Sequence, residues 1–170
     1  MKGELILYKK IKDTYLINED TIALIPARHI EYQTIVLERD RKLFVRMTPL
    51  EIVKLACINE WCTYEGRRKS VMYHTNFKRK IPIPISSQKQ IYLFPTHSPS
   101  HFDNIWLSFK HIIHTKKSTQ NRNSSVVIFN NNTKLTLNIS HYTLRQQMKR
   151  TFECVWRMED AFERKSIGYM

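Results

Sequence analysis

Hydrophobic and polar positions alternate in short runs along the first third of the chain. Such alternation is typical of strands that bury one face, and each run is bounded by polar residues or by proline. The predicted strands cover residues 5–11, 21–25, 34–37 and 42–47. Because these strands follow one another closely, we expect them to pair as an antiparallel meander.

Two segments carry the pattern of helices. In the first, Thr48 can cap a helix, Pro49 suits its first position and Glu51 can return to the cap, which predicts a helix over about 49–61. Its nearly all-apolar sequence predicts a buried helix that is not a recognition helix. The second helix is predicted over about 142–163 and should pack on the sheet through an apolar stripe. The stripe residues are Leu144, Met148, Phe152, Val155 and Phe162.

Between the helices, the pattern after Gly66 predicts loops and further strands. Prolines at 82 and 84 remove two donors, so residues 80–85 should form an edge strand or an extended surface loop. Residues 89–94 and 105–113 read as strands, and 116–124 as a mobile polar loop. Residues 125–129 and 134–139 flank three asparagines, which predicts a hairpin. The expected fold class is α+β, with antiparallel sheet, one buried helix and one long C-terminal helix.

Length and composition restrict the function. The chain has 170 residues and is 42% hydrophobic, which predicts one β-rich domain over 1–170 with no second domain. No run approaches the roughly 18 apolar residues of a membrane span, and charge interrupts the opening segment before a secretory signal could form. We therefore expect a cytoplasmic, nucleoid-associated protein that does not bind membranes. The cysteines Cys57, Cys62 and Cys154 form no CxxC pair, so we expect reduced thiols.

The excess positive charge is concentrated in the middle of the chain. Residues 66–152 contain 15 Lys and Arg and one acid, Asp103, whereas the segments on either side are nearly balanced. Such a segment suits a polyanion, because Lys and Arg neutralise phosphates and release condensed counterions. The alternative is a basic surface kept only for solubility, which usually mixes both signs.

Five sequence motifs occur in a fixed order and resemble the bacterial competence transcription factor family ComK. They are TPLEIVKLACINEW, TYEGRRK, KRKIPIPI, QIYLFPTHSPS and NIWLS, and the resemblance covers about residues 20–160. It implies a sequence-specific transcription activator of competence genes that reads A·T-rich promoter boxes mainly in the minor groove. It also implies homodimers that pair as a dimer of dimers on DNA, with RNA polymerase and a proteolytic adaptor as further partners. The chain stops at Met170, where relatives continue with a tail linked to proteolysis, so such control is expected to be absent.

The residues themselves suggest where DNA would bind. A minor-groove reader of A·T tracts needs Arg or Lys on a thin projection, since the groove is narrow and strongly negative. In the predicted loop 64–69, Gly66 would allow a tight turn, Arg67 and Arg68 would enter the groove, and Tyr64 would brace a base beside Lys69. The resemblance places the family's basic pair at the same two arginines. The alternative is a set of solvated cations after a helix.

Two further groups are candidates for phosphate contacts. Lys78, Arg79 and Lys80 precede the prolines and could clamp phosphates without reading sequence. Thr96, His97 and Ser98 could donate from a loop, although a turn that satisfies its own backbone is favoured there. On the last helix, Arg145, Gln146, Lys149 and Arg150 lie off the apolar stripe and could contact a phosphate or the major groove, with self-association or packing as the favoured role of the helix. For self-association on that helix, the candidates are Phe152, Trp156, Met158 and Phe162, with a buried role as the alternative.

Parts of the sequence are also compatible with two functions other than duplex DNA binding. A single-stranded nucleic-acid-binding protein would stack bases on exposed aromatics, for which the candidates are Tyr73, Phe77 and Tyr92. A metal-dependent nuclease would use the histidine pairs 97/101 and 111/114, yet the basic stretch offers only Asp103 as a carboxylate. We therefore expect a protein that is not an enzyme, with no catalytic residue, metal or cofactor.

Overall fold

The computed structural model describes residues 10–168, and the folded elements come from that part of the chain. Of the first predicted strand, residues 5–9 lie outside the described residues. The strands are β1 (Ile11–Lys12), β2 (Thr21–Pro26), β3 (Thr34–Glu38), β4 (Lys42–Val45), β5 (Ile83–Ser86), β6 (Ile91–Pro95), β7 (Trp106–Ser108), β8 (Ile112–Lys117), β9 (Ser125–Phe129) and β10 (Lys134–Leu137). The helices are α1 (Pro49–Asn59), α2 (Tyr64–Thr75) and α3 (His141–Ile167). The predicted α+β class is confirmed.

A seven-stranded sheet forms the centre of the fold, in the order β1-β4-β3-β2-β7-β6-β5. All neighbours are antiparallel except β1 and β4, which are parallel. The predicted meander is confirmed for β2 to β4, whereas β1 departs from it. The pairing of Leu24 with Trp106 joins the N-terminal strands to the middle of the chain.

Helix α1 begins as the sequence predicts. The Thr48 side chain accepts a hydrogen bond from the backbone of Glu51, whose carboxylate accepts one from the backbone of Thr48. This capping box satisfies two amides that the first turn leaves without partners. Ile52, Val53 and Cys57 are buried, which confirms the predicted packing of this helix.

Helix α2 is a correction, because loops and strands were predicted after Gly66. The helix runs over Tyr64–Thr75 and begins with Thr63, whose hydroxyl accepts from the backbone of Gly66 at 2.9 Å. Gly66 disfavours a helix, but the three cations after it are good helix formers, and Tyr64, Val71 and Thr75 are buried at helical spacing. Tertiary packing of that face therefore decides the conformation.

Strand β5 lies at an edge of the large sheet, as the two prolines predict. The expected surface exposure is wrong, because residues 81–86 are all buried. Helix α2 packs against β5, and Pro84 lines a groove together with Cys154 of α3. An edge that lacks ladder donors is thus covered by helices and closed to other chains.

The predicted strand 105–113 divides between two sheets. It forms β7, then a 3₁₀ turn (Phe109–His111), and then β8 of a small sheet with the order β10-β9-β8. His111 is buried at the turn, where its Nε2 donates to the carbonyl oxygen of Glu19 at 2.8 Å. The predicted hairpin of β9 and β10 is confirmed, and Asn132 in its turn has a φ of 65°.

The large sheet has a hydrophobic cluster on each face. One cluster joins Leu24 and Trp106 to α1 and α2, and the other joins Ala23 and Phe94 to the small sheet. Helix α3 starts in the second cluster at Leu144 and reaches the first at Cys154. It therefore crosses the sheet near β6, which it contacts. Among residues 10–168 no helix is both long enough and apolar enough to span a membrane.

The buried face of α3 differs from the predicted apolar stripe. Gln147, Thr151 and Cys154 are buried next to Leu144, while Phe152 is 61% exposed and Phe162 is 48% exposed. Two polar residues replace apolar ones on the packed face because their side chains find hydrogen-bond partners there. The prediction that the stripe as a whole packs on the sheet is therefore wrong.

Candidate nucleic-acid interface

Gln147 on α3 connects two of the three predicted groups of DNA-binding residues. Its side-chain amide donates to the carbonyl oxygen of Lys80 and to that of Pro95, both at 3.0 Å. The residue is only 2% exposed, so these bonds form away from water. The basic segment 78–80 and the turn that begins at Thr96 are therefore held side by side on the first half of α3.

Arg150 fixes the basic segment from the same helix. Its guanidinium donates to the carbonyl oxygen of Arg79 at 3.1 Å and lies 4.6 Å from the ring centre of Phe77. With the backbone carbonyls turned toward α3, the side chains of Lys78 and Arg79 are exposed to solvent. Lys80 has a φ of 48°, a conformation that non-glycine residues rarely adopt. The phosphate clamp formed by these cations stays a prediction.

The second group, Thr96 to Ser98, forms a turn that bonds mainly to itself. The hydroxyl of Thr96, which is buried, accepts from the backbone of Ile105 at 2.9 Å, and the backbone of His97 donates to Asn104 Oδ1 at 3.0 Å. Thr96 is therefore not available to a phosphate, and the self-satisfied turn that the sequence favours is present. Ser98 is exposed and remains a candidate donor.

His97 is partly buried between basic neighbours. Burial lowers the pKa of its imidazole below the ordinary value, and the nearby His101 and Lys80 lower this pKa further. Its ring stacks on that of His101 at 5.0 Å. At neutral pH the His97 side chain is consequently uncharged, and any contact with DNA would be a hydrogen bond rather than an ion pair.

The third group, 64–69, does not form the predicted projecting loop. Tyr64 is 7% exposed and packs edge-on against Trp106, so it cannot brace a base. Gly66 lies in the first turn of α2 and has no positive φ. A methyl group there would lie 3.0 Å from Thr63 Oγ1 and 3.3 Å from Cys62 Sγ. Glycine is thus suited to this position by close packing, and the predicted tight turn is wrong.

The cations of the third group have different environments on α2. Arg67 is half-buried, and its guanidinium donates to the carbonyl oxygen of Glu60 at 3.2 Å, next to the end of α1. That contact joins α1 to α2 and holds the Arg67 guanidinium against the protein. Arg68 is half-buried and Lys69 is exposed, so both can reach a phosphate from the helix surface.

The sequence analysis missed a basic hairpin formed by β8 and β9. The side chains of Lys116, Lys117 and Arg122 on it are exposed. Thr115 of this hairpin is hydrogen-bonded to His141 at the start of α3 over 3.1 Å. The pairing of β8 with β9 has no local signal in the sequence. Because of this pairing, the predicted polar loop forms the tip of a β-hairpin. The first half of α3 therefore adjoins the hairpin as well as the segment 78–80.

These elements together form what we call the basic surface, whose members all lie within residues 66–152, where 15 Lys and Arg and one acid give a net charge of +14. Its residues are Lys78, Arg79, Lys80, Lys116, Lys117, Arg122, Arg145 and Lys149. Among residues 10–168 there are eight ion pairs, and none involves a member of the basic surface. Because no carboxylate in the described part of the chain neutralises these cations, their positive potential is available to an external polyanion.

The two rival functions find less support in the geometry. Of the proposed stacking aromatics, Tyr92 is 2% exposed and Phe77 is half-buried under Arg150, while only Tyr73 is well exposed. The stacking-platform hypothesis is therefore wrong for two of its three residues. In the described part of the chain, no group of three His, Cys, Asp or Glu residues could hold a metal ion.

Comparison with known proteins adds independent information. The sequence model of a family described as ComK protein matches residues 12–163. The chain is also similar to a curated protein named competence transcription factor from Bacillus subtilis (strain 168). The two are 28% identical over 155 residues, which cover 90% of this chain and 79% of that protein. No solved structure matches the chain.

Proposed function

This chain belongs to the ComK family, and on that premise we propose that it is a transcription activator of competence genes that binds double-stranded DNA. The observation that carries the proposal is the basic surface. Eight cations that form no ion pair with any residue of the described range 10–168 surround the first half of one helix, and that helix is hydrogen-bonded to each segment that presents them. A rigid cationic surface of this kind can neutralise several neighbouring phosphates at once.

A·T-rich duplex is the proposed target. The B-DNA minor groove of A·T tracts is narrow and strongly negative, which favours binding by exposed Arg and Lys side chains. The basic surface carries no carboxylate that would repel the DNA backbone, since no acid occurs between Asp103 and Glu153 in the sequence. RNA polymerase and a proteolytic adaptor are further proposed partners, in line with the family resemblance.

Self-association through α3 is the second part of the proposal. Phe152 and Trp156 are 61% and 56% exposed and follow Lys149 on the same face of the helix. Large apolar side chains that remain exposed on an ordered helix favour contact with another apolar surface. A two-fold dimer through this face would place two basic surfaces on one duplex, and paired dimers would extend the contact. Such pairing compensates for the low information content of the minor groove.

Charge removal tests the proposed interface. We expect Arg79→Ala and Lys149→Ala each to weaken binding to all duplexes and to reduce the slope of log K against log salt by about 1, because each removes one phosphate contact. The matched control is Lys42→Ala, since Lys42 is an exposed cation on β4, in the neutral N-terminal third, that forms no ion pair with a described residue. Filter binding of a fluorescent A·T-rich duplex at several salt concentrations provides the measurement. Equal effects of Lys42→Ala and Arg79→Ala would refute the assigned surface.

A further inference from the structure

The tip of the β8–β9 hairpin is a structured turn that carries an arginine at its apex. Asn121 Oδ1 accepts from the backbone of Asn123 at 2.9 Å, and Ser118 and Ser124 are joined by a backbone hydrogen bond of 3.1 Å. Every residue from 119 to 123 is exposed. The Arg122 side chain is therefore presented on a backbone that is already ordered before any ligand binds.

The base of the hairpin is fastened to the rest of the protein. Ser125 Oγ donates to the carbonyl oxygen of Ile139 at 2.9 Å, and Thr115 is bonded to His141 of α3. Val127 and Phe129 of β9 are fully buried in the second hydrophobic cluster. The tip thus keeps a defined position relative to the cations on α3.

The shape of the tip suits a narrow groove better than any helix of the basic region does. An α-helix with its side chains is about 10–12 Å across, whereas the minor groove is only about 6 Å wide. A hairpin of two strands about 4.8 Å apart is narrower than a helix, and the tip of this one presents the exposed Arg122 side chain. Arg67, the residue first predicted for this role, is half-buried against the end of α1.

The chemistry of the tip also matches an A·T minor groove. An A·T pair shows only acceptors there, A N3 and T O2, while G adds an amino donor. Arg122 is flanked by Asn121 and Asn123, so the tip offers guanidinium and amide donors. Donors bind the acceptors of A·T pairs and are opposed by the amino group of G.

We propose that Arg122, at the tip of the β8–β9 hairpin, is the residue that reads the minor groove of A·T-rich DNA. The inference rests on the proposed function and names the reader within it. Lys116 and Lys117, at the base of the tip, neutralise the phosphates that flank the groove at that point. In this proposal Arg122 supplies sequence specificity, and Lys116 and Lys117 of the same hairpin supply the charge that binds phosphates.

The test compares Arg122→Ala with Lys117→Ala on three duplexes: A·T-rich, G·C-rich, and one in which inosine·cytosine replaces the A·T pairs. Inosine lacks the amino group of guanine, so that duplex retains an A·T-like minor groove with a G·C-like major groove. The wild type should prefer the A·T-rich and inosine duplexes over the G·C-rich one. Arg122→Ala should lower that preference about tenfold. Lys117→Ala should weaken binding to all three duplexes by the same factor.

The outcomes separate the two proposals. If the wild type binds duplexes without preferring A·T pairs, the proposed A·T reading fails and the inference fails with it. If the wild type prefers A·T pairs but Arg122→Ala keeps the full preference, the inference alone is overturned. A wild type that rejects the inosine duplex would also overturn it, because the sequence would then be read from the major groove. Circular dichroism of both variants serves as the check that they are folded.

Discussion

At the scale of single residues, Gln147 has the largest effect on how the interface is assembled. Its side-chain amide donates to the carbonyl oxygens of Lys80 and Pro95, which precede it by 67 and 52 positions in the chain. Its own Oε1 accepts from Arg150 at 3.0 Å. A buried amide that donates to the carbonyl oxygens of two separate segments acts as a joint that holds those segments together. Sequence periodicity places Gln147 on a helix but does not reveal these partners, since they depend on tertiary contacts.

Replacement of Gln147 provides the residue-scale prediction. Gln147→Ala leaves two carbonyl oxygens without their donor and should lower the free energy of unfolding by about 2 kcal/mol. It should also weaken binding to every duplex, because the segment 78–80 loses its support. Urea denaturation followed by circular dichroism measures the first effect.

The neighbouring Gln146 is the matched control for this change. Gln146 is exposed and forms no hydrogen bond with the described protein, so Gln146→Ala should change the free energy of unfolding by less than about 0.5 kcal/mol. If the two variants were equally stable, the role of Gln147 as a joint would be disproved.

Residues 64–69 show where the sequence interpretation reached its limit. Gly66 indicates a turn through its low helix propensity, while the signals for a helix are spread over several residues: a capping Thr63, an acid at Glu65 and burial at helical spacing. A glycine that is required by close packing has the same appearance in a sequence as a glycine that allows a turn. Only the 3.0 Å approach of Thr63 Oγ1 distinguishes the two cases.

At the scale of elements, helix starts and hairpin turns were predictable because their signals are local. The capping box of α1 and the asparagine turn of β9 and β10 each occupy a few consecutive residues. The orientation of α3 was not predictable in the same way. Its buried face includes Gln147, whose bonds to the carbonyl oxygens of Lys80 and Pro95 make a polar position internal, while Phe152 stays outside.

The exposed apolar face of α3 supports the element-scale prediction. The double variant Phe152→Ser/Trp156→Ser removes the largest exposed side chains of the middle of the helix and should convert a dimer into a monomer. Since neither residue is buried within the protein, the helix content should stay the same. Analytical ultracentrifugation and circular dichroism measure the two properties.

Tyr142→Ser is the control for that prediction. Tyr142 is 73% exposed at the start of α3, outside the Phe152 and Trp156 patch, so its replacement should leave the oligomeric state unchanged. A wild-type protein that sediments as a monomer at all concentrations would contradict the dimer proposal.

At the scale of the whole molecule, the charge distribution was the most informative property of the sequence. It makes residues 66–152 the candidate polyanion-binding region without any knowledge of contacts, because net charge requires no knowledge of the fold. Strand order could not be obtained in this way. The insertion of β7 between β2 and β6 and the division of 105–113 between two sheets depend on pairings between distant segments.

The dependence on pairings between distant segments also explains which candidate site residues could be predicted from the sequence. The group 78–80 was predicted from local charge and lies in the basic surface, whereas the hairpin cations became visible only when β8 paired with β9. Of fifteen cations in the basic stretch, only Lys89 takes part in one of the ion pairs among residues 10–168. The folded protein therefore keeps nearly all of this charge available for a ligand.

The central claim is that this charge binds duplex DNA rich in A·T pairs. The most direct measurement is a titration of the wild-type protein with A·T-rich duplex, G·C-rich duplex and the single A·T-rich strand, at about 50 and about 200 mM salt. We expect the A·T-rich duplex to bind tightest, with affinity falling by about a thousandfold or more between the two salt concentrations if six or more phosphates are contacted. Equal or tighter binding of the single strand, or an affinity that is indifferent to salt, would contradict the account.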